Sequence, residues 1–191
     1  MYELNEFRSC LERVTRILRN CQTRFHATGG AAAIAYGDPR TTQDVDLVID
    51  PIPLNERVTT FIDQLQQDQF LFHADTIREA LSAGRSFQAI DTLSTLKLVF
   101  YPCELVAGGF DRAVELEILP GLFFPVASRP DLVISKLVWI SKGSHKSRRD
   151  VRQIVGRATE TEMALVREFA EPLKLGALLD EVLAEPDEID A

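Results

Sequence analysis

The sequence predicts an α+β fold, and three observations carry that prediction. Apolar and β-branched runs of strand length, broken by turn residues, fall between residues 25 and 126. From Pro130 onward the apolar residues recur at three and four, the helical spacing. A long amphipathic stretch precedes both. Strands in the first two thirds and helices in the last third describe α+β rather than a regular α/β alternation.

Taken in order, residues 3–24 place Leu4, Phe7, Leu11, Val14, Leu18 and Cys21 on one helical face. Arg8, Arg13, Arg16 and Arg19 lie off that stripe and read as a solvated face. Phe25-His26-Ala27 leads into Gly29 as a short strand, with His26 in a structural role. Asp44 to Ile49 is strand composition. Pro51-Ile52-Pro53 breaks the chain before a helix from Asn55 to Gln67, and Asp75 caps a short helix that ends at Gly84. Phe87–Ile90 and Leu96–Phe100 are adjacent strands, and Val114–Leu119 with Leu122–Val126 form a hairpin about Pro120-Gly121. Helices follow from Pro130, from Ser147 to about Arg157, from the capping box Thr159-Glu160-Thr161-Glu162, and from Leu173 to Ala184.

Composition bounds the function. With 191 residues and 46 % apolar content the chain holds a proper core, which argues against disorder. Its net charge of −8 argues against a grip on long nucleic acid, which calls for a basic balance. No apolar run reaches membrane-spanning length. Tyr2–Glu6 is polar and acidic, unlike a secretory leader. Cys10, Cys21 and Cys103 fit no metal spacing and read as reduced thiols. The expected location is cytoplasmic.

Residues 28–50 carry the chemistry. Gly29-Gly30 opens a run of helix formers, Ala31 to Tyr36, and the turn Gly37-Asp38-Pro39-Arg40 leads into Thr41-Thr42-Gln43-Asp44-Val45-Asp46. Side chains two apart on a strand share a face, so Asp44 and Asp46 project together. Two carboxylates so placed repel each other unless a cation or a proton intervenes. Magnesium commonly takes one or two carboxylates and completes its shell with substrate phosphates. Glycine without a Cβ lets backbone approach a ligand closely, and free N–H groups at a helix start suit an anion. Gly-Gly alone is more often a turn, and Asp-x-Asp alone more often a solvated strand face. Their combination, with Thr42 and Arg40 just upstream, is what stands out.

That combination resembles the signature of the polymerase-β-type nucleotidyltransferase superfamily. Within it the chain is similar to the small AbiEii toxin-like proteins and their relatives, over roughly residues 25–175. The carriers are Gly29-Gly30, Arg40-Thr41-Thr42-Gln43-Asp44-Val45-Asp46, Lys136-Leu137 and Arg149-Asp150. The resemblance implies a small mixed sheet flanked by helices over residues 1–127, a C-terminal helical cluster over 128–185, and an acidic tail at 186–191. It implies magnesium or manganese on Asp44 and Asp46. It implies triphosphate contacts from Gly29, Gly30, Arg40, Thr42 and Lys136, and a site role for Asp150, whose bland reading is an ion pair with Arg149, Arg152 or Lys146. The activity implied is transfer of a nucleoside monophosphate from a triphosphate to an RNA or protein hydroxyl, with a toxin role and an antitoxin partner as the family setting.

One departure stands against it. Many members carry a third carboxylate on a neighbouring strand as Lys-apolar-Asp, and along Leu96-Lys97-Leu98-Val99-Phe100 that position is Val99. Asp91, Glu104, Glu115 and Glu117 are the candidates to replace it. Two further readings stay open: a member that keeps the fold for nucleotide binding or protein partnership without catalysis, and a metal-dependent phosphohydrolase. The second has only His26, His73 and His145 to draw on and ranks last.

Overall fold

The first helix is held by side chains from far along the chain. The structure, a computed structural model, describes residues 4–36 and 44–186. Helix α1 (Leu4–Asn20) buries Leu11, Val14, Ile17 and Leu18 completely, each worth roughly 1.5–3 kcal/mol of transfer free energy. Its off-stripe arginines are not simply solvated. Arg13 donates to Asp91 at 2.6 Å and to the Asp68 carbonyl, and lies over the Phe70 ring. Arg16 grips both Asp68 oxygens, and Arg8 donates to the Pro120 carbonyl.

Among the described residues the sheet has seven strands: β1 (Phe25–Thr28), β2 (Asp44–Ile49), β3 (Phe70–Leu71), β4 (Phe87–Asp91), β5 (Lys97–Tyr101), β6 (Val114–Leu119) and β7 (Leu122–Val126). Their order is β3-β4-β5-β2-β1-β7-β6. Only β2/β5 and β1/β7 run parallel, so the sheet is mixed. Val45, Leu47 and Ile49 of β2 and Leu98 and Phe100 of β5 are wholly buried, which is why these central strands read as apolar runs. Phe61, in α4 (Val58–Gln67), meets Phe87 and Phe100 edge-on and covers the same face as α1.

The chain after β2 differs from expectation. Pro51-Ile52-Pro53 does not break the chain but starts α3 (Pro51–Glu56), because Asp50 accepts from the Ile52 amide as an N-cap and proline fits the first helical turn. Asp75 does not cap α5 (Ala74–Ser82). It sits within the first turn and pairs with Arg78. Two elements went unanticipated: the two-residue β3 and the single turn α6 (Gly109–Arg112).

The last third is helical: α7 (Arg129–Ser141), α8 (Lys146–Val155), α9 (Glu160–Ala170) and α10 (Gly176–Ala184). Ser128 caps α7, and Thr159 with Glu162 forms the expected capping box at α9. Ser147 lies inside α8 rather than at its cap, its hydroxyl bonded to that of Ser144. Cys10 and Cys21 are buried, Cys103 is exposed, and all three are free. No helix among the described residues is long and apolar enough to cross a membrane.

Candidate functional site

The site begins where β1 ends. Gly29 has φ +62°, and a Cβ built there would stand 2.0 Å from Asp46 Oδ2. Glycine is therefore required twice over, for the left-handed backbone and for the close approach of the carboxylate. Helix α2 (Gly29–Ala35) starts at this point, with Gly29 and Gly30 both buried.

Register sets the neighbours. Asp46 pairs with Thr28 on one side and Val99 on the other, and Asp44 pairs with Lys97. Alternation puts Asp44, Asp46, Lys97, Val99, Tyr101, Thr28 and His26 on one face of the sheet, opposite α1 and α4. Lys97 Nζ lies 2.9 Å from Asp44 Oδ2. The Tyr101 hydroxyl donates to Asp46 Oδ1 at 3.3 Å. The Thr28 hydroxyl meets that of Ser135 at 3.2 Å, so α7 covers this part of the face. Toward β4 and β3 the face is open, with Ile90 and Leu71 exposed.

Electrostatics single out Asp46. Burial pushes its carboxyl above the ordinary range. The Asp44 charge adds to that push, and the Tyr101 hydroxyl with the Lys136 and Lys97 ammonium groups opposes it. A desolvated carboxylate beside a second one is a group that gains from a nearby cation.

The two late residues meet each other. Lys136 Nζ lies 2.5 Å from Asp150 Oδ2, and both side chains are almost fully buried between α7 and α8. The partner of Asp150 is thus Lys136, not Arg149, Arg152 or Lys146 as the bland reading had it. Arg40 and Thr42 lie outside the described residues.

None of the four carboxylates considered for the third position sits beside the pair. Asp91 is on the opposite face, held by Arg13 and Ser94. Glu104 accepts from the Gly108 and Phe110 amides and so organises α6. Glu115 reaches toward Arg19, and Glu117 accepts from the Gly121 amide. The position itself is Val99, buried at 7 % exposure. Among the described residues no group of three or more acidic, histidine or cysteine side chains is arranged to hold a metal. The donor set fits one hard cation on Asp44 and Asp46 whose shell is completed by phosphate oxygens. It does not by itself form a two-ion site.

Lys97 and Tyr101 were missed as site residues, although a period-two reading through Val99 contains both. His26 has the structural role expected of it: it is 4 % exposed, edge-on to Phe110, and burial lowers its pKa to about 4. Asp131 and Glu104 oppose that shift. Its Nδ1 has no hydrogen-bond partner among the described residues and faces a cavity of about 40 Å³, also lined by Thr28, Glu104, Asp131 and Ser135.

Comparison with known proteins agrees on the architecture. No protein-family model matches the chain, and no curated protein sequence matches it. Solved structures do. The antibiotic-resistance factor ANT(2'')-Ia is similar over 93 % of this chain and 96 % of its own, with a TM-score of 0.60 and 14 % identity. An antigenic nucleotidyltransferase-like protein from Paracoccidioides brasiliensis is similar over 94 % of each chain, at 0.55 and 17 %. The lincosamide antibiotic adenylyltransferase LnuA, solved with lincomycin, is similar over 78 % of this chain and 96 % of its own, at 0.50 and 12 %. The chain has the nucleotidyltransferase fold, a mixed sheet flanked by helices.

Proposed function

We propose that this chain is a magnesium-dependent nucleotidyltransferase that moves a nucleoside monophosphate from a nucleoside triphosphate to an acceptor on an RNA or a protein. One observation carries the reading: the Asp44/Asp46 pair lies directly under the glycine turn that opens α2, with Asp46 Oδ2 packed against Gly29. Carboxylates for a cation and backbone amides for a phosphate thus converge from two parts of the chain. The fold shared with ANT(2'')-Ia and LnuA, the latter an adenylyltransferase by name, supports the same reaction class.

The residues divide the work. Asp44 and Asp46 hold the cation, which neutralises charge on the transferring phosphoryl group and its leaving oxygen. Gly29 and Gly30 offer backbone N–H groups to the phosphates. Tyr101 fixes the Asp46 carboxylate by donating to it, and Lys97 does the same for Asp44 while supplying positive charge beside the reacting centre. Lys136, paired with Asp150 and within electrostatic reach of Asp46, moderates the negative charge of the pair from behind. Arg40 and Thr42 are proposed phosphate contacts on the sequence motif alone. Pairing with an antitoxin belongs to this reading through the AbiEii resemblance.

A second reading is favoured by Val99. A chain without a proton acceptor at that position can bind a nucleotide and do no chemistry, serving as a binding or partner module.

Calorimetric titration of each of the four nucleoside triphosphates with magnesium separates binding from its absence. The wild type should bind at least one of them only when magnesium is present, and Asp44→Asn/Asp46→Asn should lose that binding. A well-folded wild type that binds none of the four contradicts the nucleotide site itself. Binding without turnover over any acceptor favours the second reading.

A further inference from the structure

The acceptor side of the site has an unusual composition. Attack on a phosphoryl group by a hydroxyl requires the hydroxyl proton to be taken up, and a positioned base contributes roughly 10²–10⁴-fold. Beside Asp46 the described residues offer no such base. Val99 is apolar and lies in register with Asp46. Tyr101 is a donor to Asp46, and Thr28 is engaged with Ser135. His26 stands beside Val48 rather than Asp46, its ring turned to Phe110 and its free nitrogen to the small cavity behind Thr28. Asp91 is on the far face, and both Glu104 oxygens accept backbone N–H groups. What the open side of the site does offer is a cation: Lys97, about a third exposed, at the edge where the sheet face opens toward Ile90 and Leu71.

We infer that the acceptor is an oxyanion, a phosphate or a carboxylate already ionised at neutral pH, drawn in by Lys97, rather than a hydroxyl. The inference rests on the nucleotidyl-transfer reading and names its substrate class. The step balances without a base. A lone pair of the acceptor oxygen forms the new bond to the α-phosphorus, and the bond from that phosphorus to the bridging oxygen breaks. Its electron pair leaves with pyrophosphate. No proton is taken from the acceptor. The product is a mixed anhydride, phosphate to phosphate or carboxyl to phosphate. On an RNA the acceptor is then a phosphate end, and on a protein a carboxylate or phosphorylated side chain. Lys97 offsets the repulsion that such an acceptor meets from Asp44 and Asp46, a Coulombic effect of order 4 kcal/mol for unit charges 4 Å apart at a protein surface.

The test uses the full chain, magnesium, and triphosphates labelled at the α-phosphate. Inorganic phosphate, acetate (its product trapped with hydroxylamine) and glycerol serve as probes at equal concentration. The wild type should label phosphate or acetate at least tenfold over glycerol, and which of the two is labelled tells phosphate from carboxylate. Val99→Asp should raise labelling of glycerol at least tenfold. As a readout apart from turnover, inorganic phosphate is titrated calorimetrically into protein saturated with magnesium and an α,β-methylene triphosphate. The wild type should bind it and Lys97→Gln should bind it at least tenfold more weakly. Glycerol labelled by the wild type as readily as the anions overturns the inference. So does failure to label or bind either anion by protein that binds the triphosphate, and in both cases the nucleotide site survives. Protein that does not bind the triphosphate at all overturns the nucleotide reading, and this inference falls with it.

Discussion

Gly29 is where backbone and chemistry meet most closely. Its φ of +62° is unfavourable for any side chain, and a Cβ would drive the Asp46 carboxylate aside by more than an ångström. Gly121 is its natural control, with φ +74° but nothing within 4 Å of a Cβ. Backbone strain of this kind costs on the order of 1–3 kcal/mol. Gly29→Ala should therefore lose about that much stability in chemical denaturation and also lose magnesium-dependent nucleotide binding. Gly121→Ala should lose stability alone. Nucleotide binding retained in Gly29→Ala would detach the glycine from the site. At this scale the sequence was informative where the signal was local. The glycine pair and Asp-x-Asp stood out by type and spacing. Lys97 and Tyr101 did not, because an isolated lysine and tyrosine on a strand acquire meaning only when β5 is known to lie beside β2.

Elements explain the late motif. Lys136 sits on α7 and Asp150 on α8, and their charges meet in the space where those helices pack. Two buried charges attract strongly but have surrendered their hydration, so removing one partner typically costs 3–5 kcal/mol, while replacing both with apolar groups is often close to neutral. Asp150→Leu should thus be destabilised by about 3–5 kcal/mol, and Lys136→Met/Asp150→Leu should recover most of that loss in the same denaturation experiment. A double variant no more stable than the single would mean that the pair does not act as a unit. Helix periodicity placed both residues on helices but could not show that they face each other, since that depends on how α7 crosses α8. The same limit governs the rest. Hairpins were legible because Pro120-Gly121 and the segment between β4 and β5 act locally, and the capping box at Thr159 likewise. The two-residue β3 is too short to carry a period. At α3 the prolines read as a stop because the cap on Asp50 was not weighed. Arg13 read as solvated because its partner Asp91 is 78 residues away.

For the whole molecule, the order of strand-like and helix-like segments sufficed for the α+β class, and the glycine-to-aspartate motif for the nucleotidyltransferase resemblance. The strand order β3-β4-β5-β2-β1-β7-β6 was not readable, since pairing of β1 with β7 and of β2 with β5 joins distant segments. Yet that order is what makes the site. It sets Val99, Lys97 and Tyr101 beside the aspartates and leaves the face beyond them open to an acceptor. The central claim is that a divalent cation and a nucleotide meet at Asp44 and Asp46, under Gly29. Manganese tests this most directly, because its unpaired electrons broaden amide signals close to it. With a bound triphosphate and substoichiometric manganese, the amide signals of Gly29, Gly30, Val45, Asp46 and Leu47 should broaden away first, while those of Gly84 and α10 persist. Intact signals around Gly29 and Asp46, with broadening centred on another acidic part of the surface, would contradict the account.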